Sequence, residues 1–282
     1  MGKRSREIRA RREVRERQAT RSPRPVGSAA DRGCLFCQRG NGPFKSVEHI
    51  FAESLGNKHL TLPKGVVCDL CNNQKLSQLD QAVVDFMPVA MRRTMLGVPN
   101  KQGRLRQLSL QGETIDHIPG VDGANPKLVV KSKTPGKSSI HEIARFPDGR
   151  VRFQMRGSGG RRMTPHFCSL LSRALLKSAL ECAWLDHGDA VLDDPFDHIR
   201  ERVLGAPADG FFALMKKSPD PNGVTVSLSY DFVAEDGVLR MPVYLTVYGI
   251  VMHTDSRLAV PRPEHSEEHW NIVTFTADET HK

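Results

Sequence analysis

Two C-x-x-C pairs, Cys34/Cys37 and Cys68/Cys71, bracket a stretch that contains Glu48-His49 and leads directly into Asn72. Four thiolates in two such pairs are the donor set of a tetrahedral zinc site, and four protein ligands leave no open position for water or substrate, so the zinc is expected to be structural. The bracketed stretch supplies different chemistry. A carboxylate, an imidazole and an amide are capable of hydrolytic work, and the near-neutral pKa of histidine suits proton abstraction at working pH. Each group also has a plainer reading. His49 taken alone reads as a structural histidine, Asn72 as a helix N-cap, and Lys75 as a solvated or phosphate-facing charge. The position of His49 between the cysteine pairs is what favours a site.

The elements that have to hold these groups can be read from pattern and punctuation. Gly40-Asn41-Gly42-Pro43 is turn chemistry, 47–51 an extended segment carrying His49, 54–57 a loop, and 65–68 a second short strand. From about Leu70 the period becomes helical, with Leu76, Leu79, Val83 and Phe86 at spacings of three and four, and Asn72 falls in the first turn. Another helical piece covers 91–96. Residues 97–160 are polar, with strand candidates at Lys127–Lys131, 139–146 and 150–156. The helix expected at Pro165–His187 has Leu171, Ala174, Leu175, Ala179 and Ala183 on one buried side. A shorter helix over 195–204 is closed by Gly205, and strands are expected at 211–215, 224–232, 238–252 and Trp270–Phe275. The fold class is therefore α+β: a compact zinc-stapled module over 33–96, then a larger α+β domain over 97–282 with helices on a mainly antiparallel sheet.

Residues 1–32 hold eleven Lys or Arg against four Asp or Glu, a net of +7 out of +9 for the 282-residue chain. Such a basic, disordered arm suits salt-sensitive attraction to nucleic-acid phosphates, or serves only as a solvated leader. No apolar run is long enough to span a bilayer and no secretory leader is visible, so a cytoplasmic, non-membrane protein is expected, with cysteines kept reduced. Cys168 and Cys182, in an apolar helical context, read as buried core thiols. Gly157-Ser158-Gly159-Gly160 lacks the lysine and strand-to-helix setting of a phosphate loop, which leaves little support for a separate enzyme in the C-terminal part.

Cys34-Leu35-Phe36-Cys37, then Glu48-His49-Ile50-Phe51-Ala52-Glu53-Ser54-Leu55-Gly56-Asn57, then Cys68-Asp69-Leu70-Cys71-Asn72-Asn73-Gln74-Lys75 together resemble the HNH endonucleases of the ββα-metal class, in their four-cysteine branch. The resemblance implies a ββα-metal module with DNA, or RNA, as substrate. It assigns His49 as general base, and Glu48 and Asn72 as oxygen ligands of one divalent metal, Mg²⁺ or Mn²⁺. The chain departs from the family in two places. Pro63 stands where a middle asparagine usually steadies the base, so that either Asn57 or His59 substitutes or the role is absent, and the metal-side acid is Glu rather than the commoner Asp. A non-catalytic zinc module that recognises nucleic acid or protein is the alternative.

Overall fold

The computed structural model describes residues 33–40, 42–57, 59–99, 102–104, 108–110, 113–118, 127–131, 139–142, 144–145, 151–152, 164–215, 226–235, 237–257 and 270–275. The basic arm and the 157–160 glycine cluster lie outside them. Among the described residues no helix is long and apolar enough to cross a membrane.

Helical backbone begins at Asp69, passes through a π-helical turn at Cys71–Leu76 and continues as α1, Ser77–Asp85. It stops at Phe86, because Pro88 lacks the N–H that a continuing helix would need and its ring crowds the carbonyl one turn back. Helix α2, Met87–Leu96, then starts in a new direction and is capped by Gly97 at φ 66°. Helix α3, Pro165–His187, matches the sequence expectation at both ends. The Thr164 side chain accepts a hydrogen bond from the Phe167 N–H, and Pro165 occupies the first turn, where a missing N–H costs nothing. The expected 195–204 helix is a 3₁₀ turn at Asp194–Phe196 followed by α4, Asp197–Leu204, closed by Gly205.

Among the described residues every strand pairing is antiparallel. β1 (Leu108–Leu110), β2 (Glu113–Ile118), β3 (Lys127–Lys131) and β4 (Ser139–Glu142) form a meander, and β5 (Ala144–Arg145) pairs with β6 (Val151–Arg152). Five others make the main sheet in the order β13-β7-β12-β11-β8: β7 is Gly210–Met215, β8 Val226–Tyr230, β11 Pro242–Val247, β12 Ile250–Asp255 and β13 Trp270–Phe275. A small ribbon joins β9, Val233–Glu235, to β10, Val238–Arg240. The single strand expected over 238–252 is thus three strands. Tyr248 (φ 51°) and Gly249 (φ 78°) form a two-residue turn of the type that matches the strand twist, and it folds β12 back on β11.

The strand expected at 65–68 does not form. Pro63 has no N–H to donate to a ladder, and Gly65 at φ 96° turns the chain, so His49 makes its lone bridge to Thr61 instead. The extended segment expected at 47–51 is reduced to that bridge.

Helix α3 is the centre of the molecule. It packs on α1, on α4 and on β7, β11, β12 and β13. Cys168, Leu176 and Leu180 are buried as fully as the expected Leu171–Leu175–Ala179 side, so the middle of the helix is covered on more than one face, while His166, Leu185, Asp186 and His187 near its ends are exposed. Cys168 is a core thiol as expected, pushed up to about 12 by burial. One apolar cluster runs without a break from Leu35 and Ile50 through Leu79 to Leu175 and Val243, and the Phe86 ring meets Phe212 edge-on at 5.8 Å. Leu175→Ala, at a fully buried position of that shared core, should lower unfolding stability by about 2–5 kcal/mol. Far-UV dichroism and zinc release, followed together in denaturant, are expected to shift as one transition. Two separated transitions would show that the knuckle segment and the helix–sheet core unfold independently.

Candidate active site

The first knuckle is a tight reverse turn. The Gln38 N–H donates to the Cys34 carbonyl at 2.8 Å and the Cys34 N–H to the Arg39 carbonyl at 3.1 Å. Gly33 is required here, since a Cβ would lie 2.3 Å from the Gln38 carbonyl oxygen at a φ of 79°. The second knuckle sits at the helix start, where the Cys68 N–H points at Cys34 Sγ at 3.3 Å. The four sulfurs lie within 4.8 Å of one another, and Cys37 Sγ is 3.7 Å from Cys68 Sγ. Tetrahedral coordination with zinc–sulfur bonds of about 2.3 Å puts sulfurs about 3.8 Å apart, so the cluster fits zinc. The hydrogen bond from Cys71 holds the Cys34 thiol down to about 5, while the same bond and burial push Cys71 up.

His49 is half-buried on the segment facing Thr61. The Ile50 N–H donates to the Leu60 carbonyl at 3.2 Å and the Leu62 N–H to the Glu48 carbonyl at 2.9 Å. Asn57 closes the loop between these two runs. Its amide nitrogen donates to the carbonyls of Phe51 and Leu60, both at 2.9 Å, and its oxygen accepts from the Leu60 N–H at 2.9 Å. The backbone bracing that Pro63 cannot give is therefore supplied by Asn57, while His59 contributes only a longer backbone contact of 3.4 Å to the same oxygen. His49 Nδ1 is buried without a hydrogen-bond partner.

Asn72 lies inside the helical run rather than ahead of it, so it is no N-cap. Its amide nitrogen donates to Ser46 Oγ at 3.2 Å and to the Val47 carbonyl at 3.1 Å, next in the chain to Glu48-His49. That use of the N–H groups leaves Oδ1 as the atom available to a ligand. Asp69, unremarked in the sequence, fixes the same loop from the helix start. It accepts from the N–H groups of Lys45 and Ser46 and from the Ser46 hydroxyl, and the hydroxyl bond holds its carboxyl below the usual range.

Glu48 is buried, with Oε1 2.6 Å from Lys177 Nζ. Lys177, fully buried on α3, also donates to the His49 carbonyl at 3.0 Å and to Asp80 Oδ1 at 2.9 Å, and lies 3.5 Å from Glu181. Burial alone would discharge this lysine, but the carboxylates of Glu181, Asp80 and Glu48 more than offset it and raise its pKa. Burial pushes all three acids upward, Glu181 most strongly. Lys177 pulls Glu48 and Asp80 back, and the neighbouring His49 also pulls on Asp80. The site residues read from the sequence are thus divided. His49 and Asn72 share the 46–49 loop, whereas the Glu48 carboxylate is held in the interior by Lys177. Oxygen donors from Glu48 and Asn72 suit a hard cation in type, with Glu48 then shared between the metal and the ammonium. The sequence did carry a sign of this cluster: Lys177 and Glu181 stand four residues apart within the most apolar helix.

Residues 34–86 match the family model described as HNH endonuclease. No curated protein and no solved structure matches the chain. The matched segment contains the whole knuckle, the His49 loop and α1, so similarity and geometry coincide on the same residues. Cys68→Ser should abolish zinc binding, measured by metal content after gel filtration, and retained zinc at full occupancy would contradict a four-thiolate site. Asn57→Ala, which removes the side-chain partner of the Phe51 carbonyl and of the Leu60 N–H, should lower stability by about 1–3 kcal/mol in a denaturant titration. An unchanged midpoint would remove Asn57 as the brace of the loop.

Proposed function

We propose that this chain is a metal-dependent endonuclease that hydrolyses DNA phosphodiester bonds with His49 as general base. What supports the reading is the His49 loop: within the segment similar to HNH endonucleases, a half-buried imidazole stands beside Glu48 on a loop that Asn57 closes and that Asn72 ties to the helix carrying the second cysteine pair. With Nδ1 buried, Nε2 is the ring nitrogen left to meet a water. The water proton passes to Nε2, the water oxygen bonds to phosphorus, and the phosphorus–oxygen bond opposite breaks, its oxygen leaving with a proton from solvent. A divalent ion, Mg²⁺ or Mn²⁺, held by Glu48 and Asn72 Oδ1, supplies neutralisation of charge on the phosphate when bound.

The exposed Lys45, Lys64 and Lys75 around the knuckle, with the basic arm of residues 1–32, suit a polyanionic strand without reading its sequence. A second reading, a zinc-held module that binds nucleic acid without cutting it, is favoured by one observation: the Glu48 carboxylate is already paired with an internal lysine. Supercoiled plasmid incubated with Mg²⁺, Mn²⁺ or EDTA separates the two. The wild-type chain should nick or linearise the plasmid with metal and not with EDTA, and His49→Ala should slow cleavage by about 10²–10⁴-fold, the usual worth of a general base. Equal rates in the two proteins would sink the mechanism. Binding without cleavage by either would select the second reading.

A further inference from the structure

We propose that Lys177 is a positioning residue for the His49 site: from the core helix α3 its ammonium grips the Glu48 carboxylate and the His49 carbonyl together, and so sets where the acid and the base stand. The proposal rests on the nuclease reading for its catalytic consequence. The grip itself is a matter of geometry. Lys177 Nζ is 2.6 Å from Glu48 Oε1 and 3.0 Å from the His49 carbonyl oxygen, and the next residue on the helix, Ser178, donates through Oγ to the Ile50 carbonyl at 2.8 Å. Two consecutive residues of α3 therefore hold two consecutive carbonyls of the His49 segment, across 128 positions of chain.

Stability alone gives no reason for this arrangement. Taking an ammonium and carboxylates out of water is costly, and well-packed apolar residues of similar volume are often as stable or more so. Here the lysine is fully buried and meets three acids, one of which, Glu181, has both oxygens buried without a hydrogen-bond partner. The contacts of Lys177 converge on the residues beside and beneath the imidazole. The other anchors of the His49 segment, the Ile50–Leu60 and Leu62–Glu48 backbone bonds and the Asn57 and Asn72 amides, hold its backbone, and none of them reaches the Glu48 carboxylate or the His49 carbonyl. Loss of the one group that holds both lets them shift, and a shift of about an ångström is enough to slow a reaction about 100-fold. Asp80 is oriented by the same ammonium, so loss of Lys177 frees two of the acids near His49 at once.

The test uses the full chain with Lys177→Met, close in length but uncharged. Backbone hydrogen exchange is measured at the Ile50 and Leu62 amides, which bridge the His49 loop, and at the Leu35 amide, which belongs to the first knuckle. Ile50 and Leu62 should exchange at least about tenfold faster, as the loss of a charge-assisted hydrogen bond implies, with Leu35 unchanged and zinc retained. In the plasmid assay kcat should fall about 100-fold with KM for DNA unaltered. Should this variant fail to fold, Lys177→Met combined with Glu181→Gln removes one stranded acid with the lysine and is read in the same way. Uniform acceleration at all three amides, or no change at any, would make Lys177 a core residue only and overturn the proposal. So would an unaltered kcat beside an active wild type. The exchange measurement needs no cleavage, so an inactive wild type would sink the nuclease reading while leaving the grip of Lys177 to be decided by exchange.

Discussion

A single ammonium inside the molecule sets the terms for the parts around it. Lys177 sits on α3 with no exposure to solvent, and the energy of keeping a charge there has to come from groups brought to it. Those groups are Glu48 from the His49 loop, Asp80 from α1, and Glu181 one turn along on α3 itself. Each lies on a different piece of chain, so α1, α3 and the loop can approach only in the one arrangement that satisfies the charge. Apolar burial along Leu79, Leu175 and Leu176 supplies the attraction between the helices, but it is non-directional. The ion cluster supplies register.

The acids gain as well as the lysine. Burial raises the cost of ionising Glu48 and Asp80, and Lys177 works against that rise in both. Glu181 lies deepest, and burial pushes its carboxyl further up than the other two while Lys177 pulls it back. The cysteine cluster, positioned to bind a metal ion, ties the first knuckle to the start of the helical run, and Gln38 extends that tie by donating to the Leu192 carbonyl and to Asp197 beyond the C-terminal end of α3. Two centres, a sulfur cluster positioned for a metal ion and a buried ammonium, thus hold opposite ends of the same segment.

Local signals in the sequence were sufficient for some of this and not for the rest. Thr164-Pro165 and Gly188 punctuate α3 so sharply that its ends agree with the pattern, and the cysteine spacing is enough to bring four sulfurs together. The hairpin between β11 and β12 was hidden, because Tyr248 adopts a positive φ that only its glycine neighbour advertised. The strand expected at 65–68 looked regular from Gly65-Val66-Val67-Cys68, yet Pro63 and the turn at Gly65 moved the pairing of His49 to Thr61. Lys177 was invisible as a site residue for a different reason. Apart from Glu181, its partners lie more than ninety positions away, and nothing local in a helix says which distant carbonyl or carboxylate a lysine will meet.

The π-helical turn at Cys71–Leu76 shows how the two centres are reconciled in one helix. In an unbroken α-helix at about 100° per residue, Asn72 would lie within roughly 20° of Leu79, seven residues on, and would face the core with it. The bond from the Ser77 N–H to the Asn72 carbonyl spans five residues instead of four, which inserts about one extra residue into the turn and rotates Asn72 by roughly 100° away from the Leu79 side. Cys71 can then face the sulfur cluster and Leu76 and Leu79 the apolar core, while the Asn72 amide reaches the Val47 carbonyl. A regular helix would have to give up one of these three contacts. The widened turn is therefore the local distortion that lets a zinc knuckle, a packed helix and the His49 loop occupy neighbouring positions in the chain.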